Sequence, residues 1–419
     1  MSSFVPATVR VTGTPNSNFL VGYPGISATL PRIEGKVEIR PYPTPGWAAP
    51  MRISFIKIAL QRRETIHPAA DNIKKHLAAP RKDITDIVGT EMLLYRCAAG
   101  KEHDTVLCMD LPFVIFIPYG REGVEVARRV PPASLSLPSR TAETFYELVV
   151  TVQQGKSDQK KFLFPVPITR YETLSSFGMY DKPESAEQTS DHLVTLGISI
   201  PRWSFGPLDP ISVYVKVSPN PDWMNKAKRV TVKNITISIE EEIIYNHEGD
   251  EPTKKTRSLG KTQQQVGMKL PEAGYFTNLG LVFPAKDLRD NDGIQPRGDR
   301  KFPVYNVSGF TTTGSLYKIQ YFLVVKAQLG SAKDIILRKP IIVCPFDHAT
   351  CKEEMRAIEE AAKEAAKISR ENPMAPAQWV ANPKDAEGLK TLGFCQGGTR
   401  YGEGRGECRN SGMGRGEVI

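Results

Sequence analysis

The chain predicts an all-β fold of two tandem sandwiches followed by one helix and a tail, and three observations carry that expectation. Short apolar runs rich in Val, Ile, Tyr and Phe alternate with Pro/Gly breaks such as TGTPNSN, RPYPTPGW and RRVPPASLSLPSR, the spacing of strands and turns, not of helices. The apolar runs then repeat in order along the chain. After His348 the periodicity changes from two to 3.6, which marks the passage from strand to helix.

The repeat is clearest near the end of each half. YELVVTVQQG (Tyr146 to Gly155) aligns with YFLVVKAQLG (Tyr321 to Gly330) at an offset of 175, with Tyr, Leu, Val, Val, Gln and Gly kept, six of ten positions. The later copy opens LYKIQYFLVVKAQLGSAKDIILRKPIIV, a predicted β-hairpin around a Gly-Ser-Ala-Lys-Asp turn. Leu30, Ile33, Val37, Ile39 and Pro41 fall on Leu208, Ile211, Val215, Val217 and Pro219 at 178. Ile56, Ile58 and Leu60 fall on Ile235, Ile237 and Ile239 at 179, and FVIFIP (Phe113 to Pro118) on LGLVFP (Leu279 to Pro284) at 166. Four matches in one order imply a duplicated domain, with loops absorbing the drift in offset. Alternation places the matched pair Val149 and Val324 at equivalent inward positions.

At 419 residues the chain accommodates two domains of roughly 100 to 150 residues plus a tail. The expected division is a first sandwich over 1–172, a polar hinge over 173–191, a second sandwich over 192–348, an amphipathic helix over 349–372 and a Gly/Arg-rich disordered tail over 373–419. Within the first sandwich, Ile66 to Thr90 has a more helical composition, with Lys74, Lys75, Arg81 and Lys82, and reads as an excursion between strands. The helix is expected to start at a capping box, Thr350 with Glu353. Met355, Ile358, Ala362, Ala365 and Ile368 then form one apolar face, and Asn372-Pro373 ends it.

The N-terminus has no basic start followed by an apolar run, and no stretch approaches the roughly 20 apolar residues of a membrane helix, so a cytoplasmic protein is expected. The six cysteines (Cys97, Cys108, Cys344, Cys351, Cys395, Cys408) form no CxxC pair and read as reduced thiols, with Cys97 and Cys108 able to face each other across a hairpin. The net charge of +9 does not come from the end of the chain, which from residue 349 carries 11 basic and 11 acidic side chains. The excess sits in the sandwiches and suits anionic lipid, phosphorylated tails or nucleic acid. Its sharpest cluster is EPTKKTRSLGK, where Lys254, Lys255, Arg257 and Lys261 fall within eight residues. Read as a hairpin tip, this is the candidate anionic lipid or phosphate contact.

Catalytic constellations are not found. There is no GxSxG elbow, no GxxxxGK[S/T] loop and no HExxH pair. Gly402-x-Gly404-x-Gly406 follows no strand and opens no helix, and the six histidines are scattered. The run Glu240-Glu241-Glu242 reads as a solvated strand end. No enzyme, cofactor or metal site is therefore expected.

IEGKVEIR (Ile33 to Arg40), FVIFIP and LYKIQYFLVVKA, placed in this order across two tandem β-domains, give a chain that resembles the arrestins, and among them the fungal arrestin-related trafficking adaptors. The resemblance implies two immunoglobulin-like (arrestin-like) sandwiches in a cupped body. It also implies binding to cytosolic segments of membrane receptors or transporters, peripheral to the plasma membrane or endosomes, with effects on endocytosis, ubiquitination or signalling. The fungal members recruit a ubiquitin ligase through Pro-Pro-x-Tyr. Here Pro131-Pro132 is followed by Ala133-Ser134, so direct recruitment is not implied. A retromer-like coat subunit shares the fold. A nucleic-acid-binding tandem of immunoglobulin-like domains is permitted by the charge, yet no loop joins dense Arg/Lys to stacking aromatics and a base-reading Asn.

Overall fold

The structure, a computed structural model, describes residues 5–13, 19–42, 50–68, 81–118, 132–168, 174, 177–287, 305–371, 378–382 and 384. The first half supplies β1 (Ala7–Gly13), β2 (Leu20–Val21), β3 (Arg32–Pro41), β4 (Met51–Ile53), β5 (Phe55–Ile66), β6 (Lys82–Arg96), β7 (Asp104–Val106), β8 (Cys108–Phe116), β9 (Leu135–Ser136), β10 (Ala142–Gln154) and β11 (Asp158–Pro165). A turn of helix, α1 (Phe177–Tyr180), leads to β12 (Glu184–Ser190), β13 (Val194–Ile200), β14 (Ser204–Phe205) and β15 (Pro210–Pro219). There follow α2 (Met224–Ala227), β16 (Thr231–Tyr245), β17 (Thr253–Lys269), β18 (Tyr275–Val282), β19 (Lys286–Asp287), β20 (Tyr305–Asn306), β21 (Thr312–Thr313), β22 (Tyr317–Gly330) and β23 (Ile335–Val343). The helix α3 (His348–Glu371) and a last strand, β24 (Trp379–Ala381), complete the described chain.

Each half is a sandwich. In the first, β1-β3-β8-β24 faces β11-β10-β5-β6; in the second, β12-β13-β15-β18 faces β14-β23-β22-β16-β17. The repeat is visible in the register. Ile33 pairs with Ile115 as Ile211 pairs with Leu281, and Tyr146 pairs with Arg62 as Tyr321 pairs with Glu241. Thus β3, β5, β8, β10 and β11 are the counterparts of β15, β16, β18, β22 and β23. Strand alternation builds both cores: Tyr146, Leu148, Val150 and Val152 point into the first, and Tyr321, Leu323, Val325 and Ala327 into the second.

Val149 and Val324 do not. They are 4% and 8% exposed but lie on the outer face, Val149 between Ala59 and Leu163 and Val324 between Ser238 and Arg338. In a run such as Leu-Val-Val the phase of a period-two pattern is ambiguous, and the neighbouring valine of each copy takes the core position.

Three other expectations are corrected. The predicted hinge is partly strand, since Glu184–Ser190 forms the edge strand β12 against β13. The predicted helical excursion is β6 from Lys82 onward, paired with β5; residues 69–80, with Lys74 and Lys75, lie outside the described residues. The helix cap is Asp347, whose Oδ1 accepts from the Thr350 amide at 2.7 Å, so an acidic side chain one position before the helix replaces the expected Thr350–Glu353 box.

The sandwiches meet through a mixed seam. Ile66, Ala133, Leu137 and Ala142 of the first are continuous with the core of the second. Beside them the buried carboxylate of Glu64 reaches across: its Oε2 accepts from the amides of Ser315 at 2.6 Å and Leu316 at 3.0 Å. A Cβ at Gly314 would come within 2.7 Å of that oxygen, so a side chain there would displace the carboxylate. Arg62 donates to Ser315 Oγ at 2.9 Å, and Thr144 and Tyr317 share a hydrogen bond of 2.7 Å. The helix α3 adds a strap, Glu354 accepting from Tyr23 Oη at 2.6 Å. The apolar side of α3 packs through Cys351, Met355 and Ile358 on Tyr23, Leu174 and Phe177.

Candidate docking edges and the basic strand

The four cations singled out by spacing lie on β17, not on a hairpin tip. Lys254 pairs with Glu242 at 2.7 Å, Arg257 with Glu241 at 2.8 Å, and Lys255 donates to the Pro68 carbonyl of the first sandwich at 2.5 Å. Lys261, opposite Ser238, is exposed. The strand therefore brings Lys254, Lys255 and Arg257 onto structural partners, and only their half-exposed heads face water.

The same pairing explains the acidic run. Glu241 and Glu242 point to opposite faces of β16 and are both buried, so neither is a solvated end. Glu241 accepts from Tyr321 Oη at 3.0 Å, and burial together with this carboxylate pushes the Tyr321 hydroxyl well up. On the other face Arg338 binds Glu242 at 2.5 Å and lies 3.3 Å over the Phe322 ring. Burial opposes the Glu242 charge, but the bonds from Lys254 and Arg338 outweigh it and hold the carboxyl below its ordinary value. These are cross-strand partners, which linear spacing does not reveal.

A cavity of about 300 Å³ opens beside this cluster, lined among others by Arg257, Leu259, Phe283, Lys286, Ser308 and Tyr321. Leu259 is the extra residue of a bulge between Ile239 and Glu240. Sequence reasoning missed the cavity because its walls come from separate segments. The signals were Tyr321, marked by its match to Tyr146, and Arg257, one of the four cations singled out by spacing.

The clearest docking geometry is at the edge of β8. There Trp379, Val380 and Ala381 pair with Asp110, Met109 and Cys108, and the Leu107 amide donates to the Ala381 carbonyl at 2.9 Å. Gln378 fixes the approach by donating to the Leu94 carbonyl of β6 at 2.6 Å. Trp379 packs on Leu107 and Cys108 while Val380 meets the core. Burial pushes the Cys108 thiol up to about 11, with the Ala381 backbone opposing it in part. The tail segment that composition reads as coreless thus contributes a strand to the first sandwich. A three-residue strand carries too little alternation to be seen in sequence.

By the repeat, the matching stretch of the second sandwich is Gly274 to Phe276. Among the described residues no strand pairs with its outer edge, and Phe276 is 60% exposed. The described residues contain no group of three or more His, Cys, Asp or Glu side chains able to hold a metal, and no described helix is long and apolar enough to cross a membrane.

No curated protein matches the chain. Among protein families, residues 190–347 match the C-terminal domain of arrestin (or S-antigen). That stretch runs from the last residue of β12 through β23, so the second sandwich is similar to an arrestin C-terminal domain.

Proposed function

We propose that the chain is a cytosolic arrestin-like adaptor. It binds extended cytosolic segments of membrane receptors or transporters by adding them as strands to sandwich edges. In this way it regulates their endocytosis, ubiquitination or signalling. The observation that carries the reading is β24: an extended segment, Gln378 to Ala381, seated on the edge of β8 by backbone bonds with Trp379 and Val380 in side-chain sites, the arrangement by which sheet edges recognise peptides. The equivalent position in the second sandwich is the outer edge of β18, which begins at Tyr275. Fungal arrestin-related trafficking adaptors are the subgroup favoured, with any ubiquitin ligase reached through another protein, since no Pro-Pro-x-Tyr occurs.

Lys254, Lys255, Arg257 and Lys261 are the proposed contact with an anionic membrane surface or phosphorylated tail, and the half-exposed heads of Lys254 and Arg257 support it. Proximity labelling in cells tests the whole reading. Plasma-membrane receptors or transporters are expected as neighbours; enrichment of chromatin, or of stable endosomal coat subunits alone, would overturn it.

A further inference from the structure

Two thiols lie side by side where the second sandwich hands over to α3. Cys344 follows β23, its amide donating to the Phe205 carbonyl at 2.8 Å, and Cys351 sits in the first turn of α3, its amide donating to the Asp347 carbonyl at 2.9 Å. Both are 1% exposed and belong to one buried cluster with Leu174, Phe177 and Ile358, and the Cys344 thiol is the first cause that raises the Cys351 thiol. Ser204 Oγ lies 3.6 Å from Cys344 Sγ, and Cys351 Sγ donates to the Phe346 carbonyl at 3.7 Å. None of the four described cysteines is in a disulfide.

We propose that Cys344 and Cys351 are a peroxide-responsive dithiol whose closure fastens the first turn of α3 to the last strand of the second sandwich. Two thiols buried in the same small cluster have a short way to go to reach a sulfur–sulfur length of about 2.0 Å. The backbone on either side is pinned by the bonds above, so the pair stays in reach. No other described cysteine has such a neighbour: Cys97 and Cys108 lie in the first sandwich, and Cys108 is beneath β24.

The chemistry balances with hydrogen peroxide as oxidant. One thiolate attacks the peroxide; the sulfur–oxygen bond forms, the oxygen–oxygen bond breaks, and hydroxide leaves as water, giving a sulfenic acid. The second thiolate attacks that sulfur; the disulfide forms and the sulfenic oxygen leaves as a second water. Two thiols are oxidised and one peroxide is reduced to two waters.

Burial sets the gate. Contact with Cys344, burial, and the carboxylates of Asp209 and Asp347 all push the Cys351 thiol up, so the docked pair is protonated and slow. Reaction begins when the first turn of α3 lifts and water reaches the sulfurs. Closure then holds α3 in place, together with its Glu354 contact to Tyr23. This is independent of the docking reading.

The test uses the full chain exposed to hydrogen peroxide and digested with trypsin without reduction. Lys339-Pro340 resists cleavage, so one peptide, from Lys339 to Lys352, carries both cysteines. It is expected lighter by two hydrogens and refractory to alkylation, with reductant restoring both properties and Cys351→Ser abolishing closure. Tyr23→Phe and, more strongly, Ile358→Ala loosen α3 and raise the closure rate several-fold. Circular dichroism checks that each variant is folded, and Tyr23→Phe serves if Ile358→Ala is not. Sulfinic or sulfonic acid at either cysteine without the bridged peptide would overturn the proposal. So would thiols that stay intact in Tyr23→Phe at peroxide doses that oxidise the more exposed Cys97.

Discussion

The two sandwiches share a frame and differ where the frame meets something else. At the duplicated tyrosine, the first copy sets Tyr146 opposite Arg62 and bonds its hydroxyl to the Pro132 carbonyl. The second sets Tyr321 opposite Glu241 and bonds to that carboxylate. At the matching outer edge, the first copy carries β24 on β8, and the second presents Phe276 to water. Core positions tolerate only apolar groups of similar size, so duplication leaves them recognisable. Edges and polar partners carry no such restriction and have diverged.

The largest effect that can break this comparison is a charge in the cores. Val150→Asp and Val325→Asp are expected to unfold their sandwiches, each at a cost of several kcal/mol. Val149→Asp and Val324→Asp, on the outer face, should lower the melting temperature less. Urea unfolding of the four variants checks the face assignment, which fails if the pairs behave alike.

Next in size is the seam. Glu64→Ala leaves the amides of Ser315 and Leu316 without their acceptor, a loss of about 1–3 kcal/mol. Two separated transitions in calorimetry are the expected sign of weakened coupling; a single unchanged transition would mean that the apolar seam alone couples the sandwiches.

The third concerns the edges. Trp379→Ala should uncover Cys108 and let its thiol fall from about 11 toward the ordinary range. At pH 8 the thiolate fraction, and with it the alkylation rate, then rises between about ten- and a hundred-fold, since each pKa unit is about tenfold. A folded-state value raised in this way stabilises the fold below the ordinary thiol range. That contribution is lost as pH climbs through 11 in the parent, and the variant should lack it. An alkylation rate equal to the parent's would mean that β24 does not shield the edge.

The smallest effect separates the basic residues of β17. Lys261→Ser should change stability by no more than about 0.5 kcal/mol. Lys254→Ser, which weakens the hold on buried Glu242, should cost more, and because it removes one of the groups that lower the Glu242 carboxyl it should make the loss of stability as pH falls shallower. In co-sedimentation with anionic vesicles, replacing all four cations should reduce binding most at low salt. Equal binding of parent and variant would remove β17 as the contact.

How much of this was legible follows from length and periodicity. β3, β5, β8, β10, β15, β16 and β22 have enough turns of alternation to be read singly, and their repeat gave the tandem. The face of Val149 was not legible, because consecutive valines erase the phase. Nor was β24, whose three residues acquire meaning only against β8. The partners of Lys254 and Arg257 stayed hidden because cross-strand register brings them to the acidic run, though both segments were singled out separately.

The position of β24 also bears on the order in which the molecule is made. Asp110 waits for Trp379 across 269 positions of chain, roughly 15 to 50 s of synthesis at about 5–20 residues per second. For that interval the first sandwich exists with the edge of β8 bare and Cys108 uncovered. Its last strand arrives only after the second sandwich and α3 have been translated, so the final step in completing the N-terminal domain is taken by the far end of the chain.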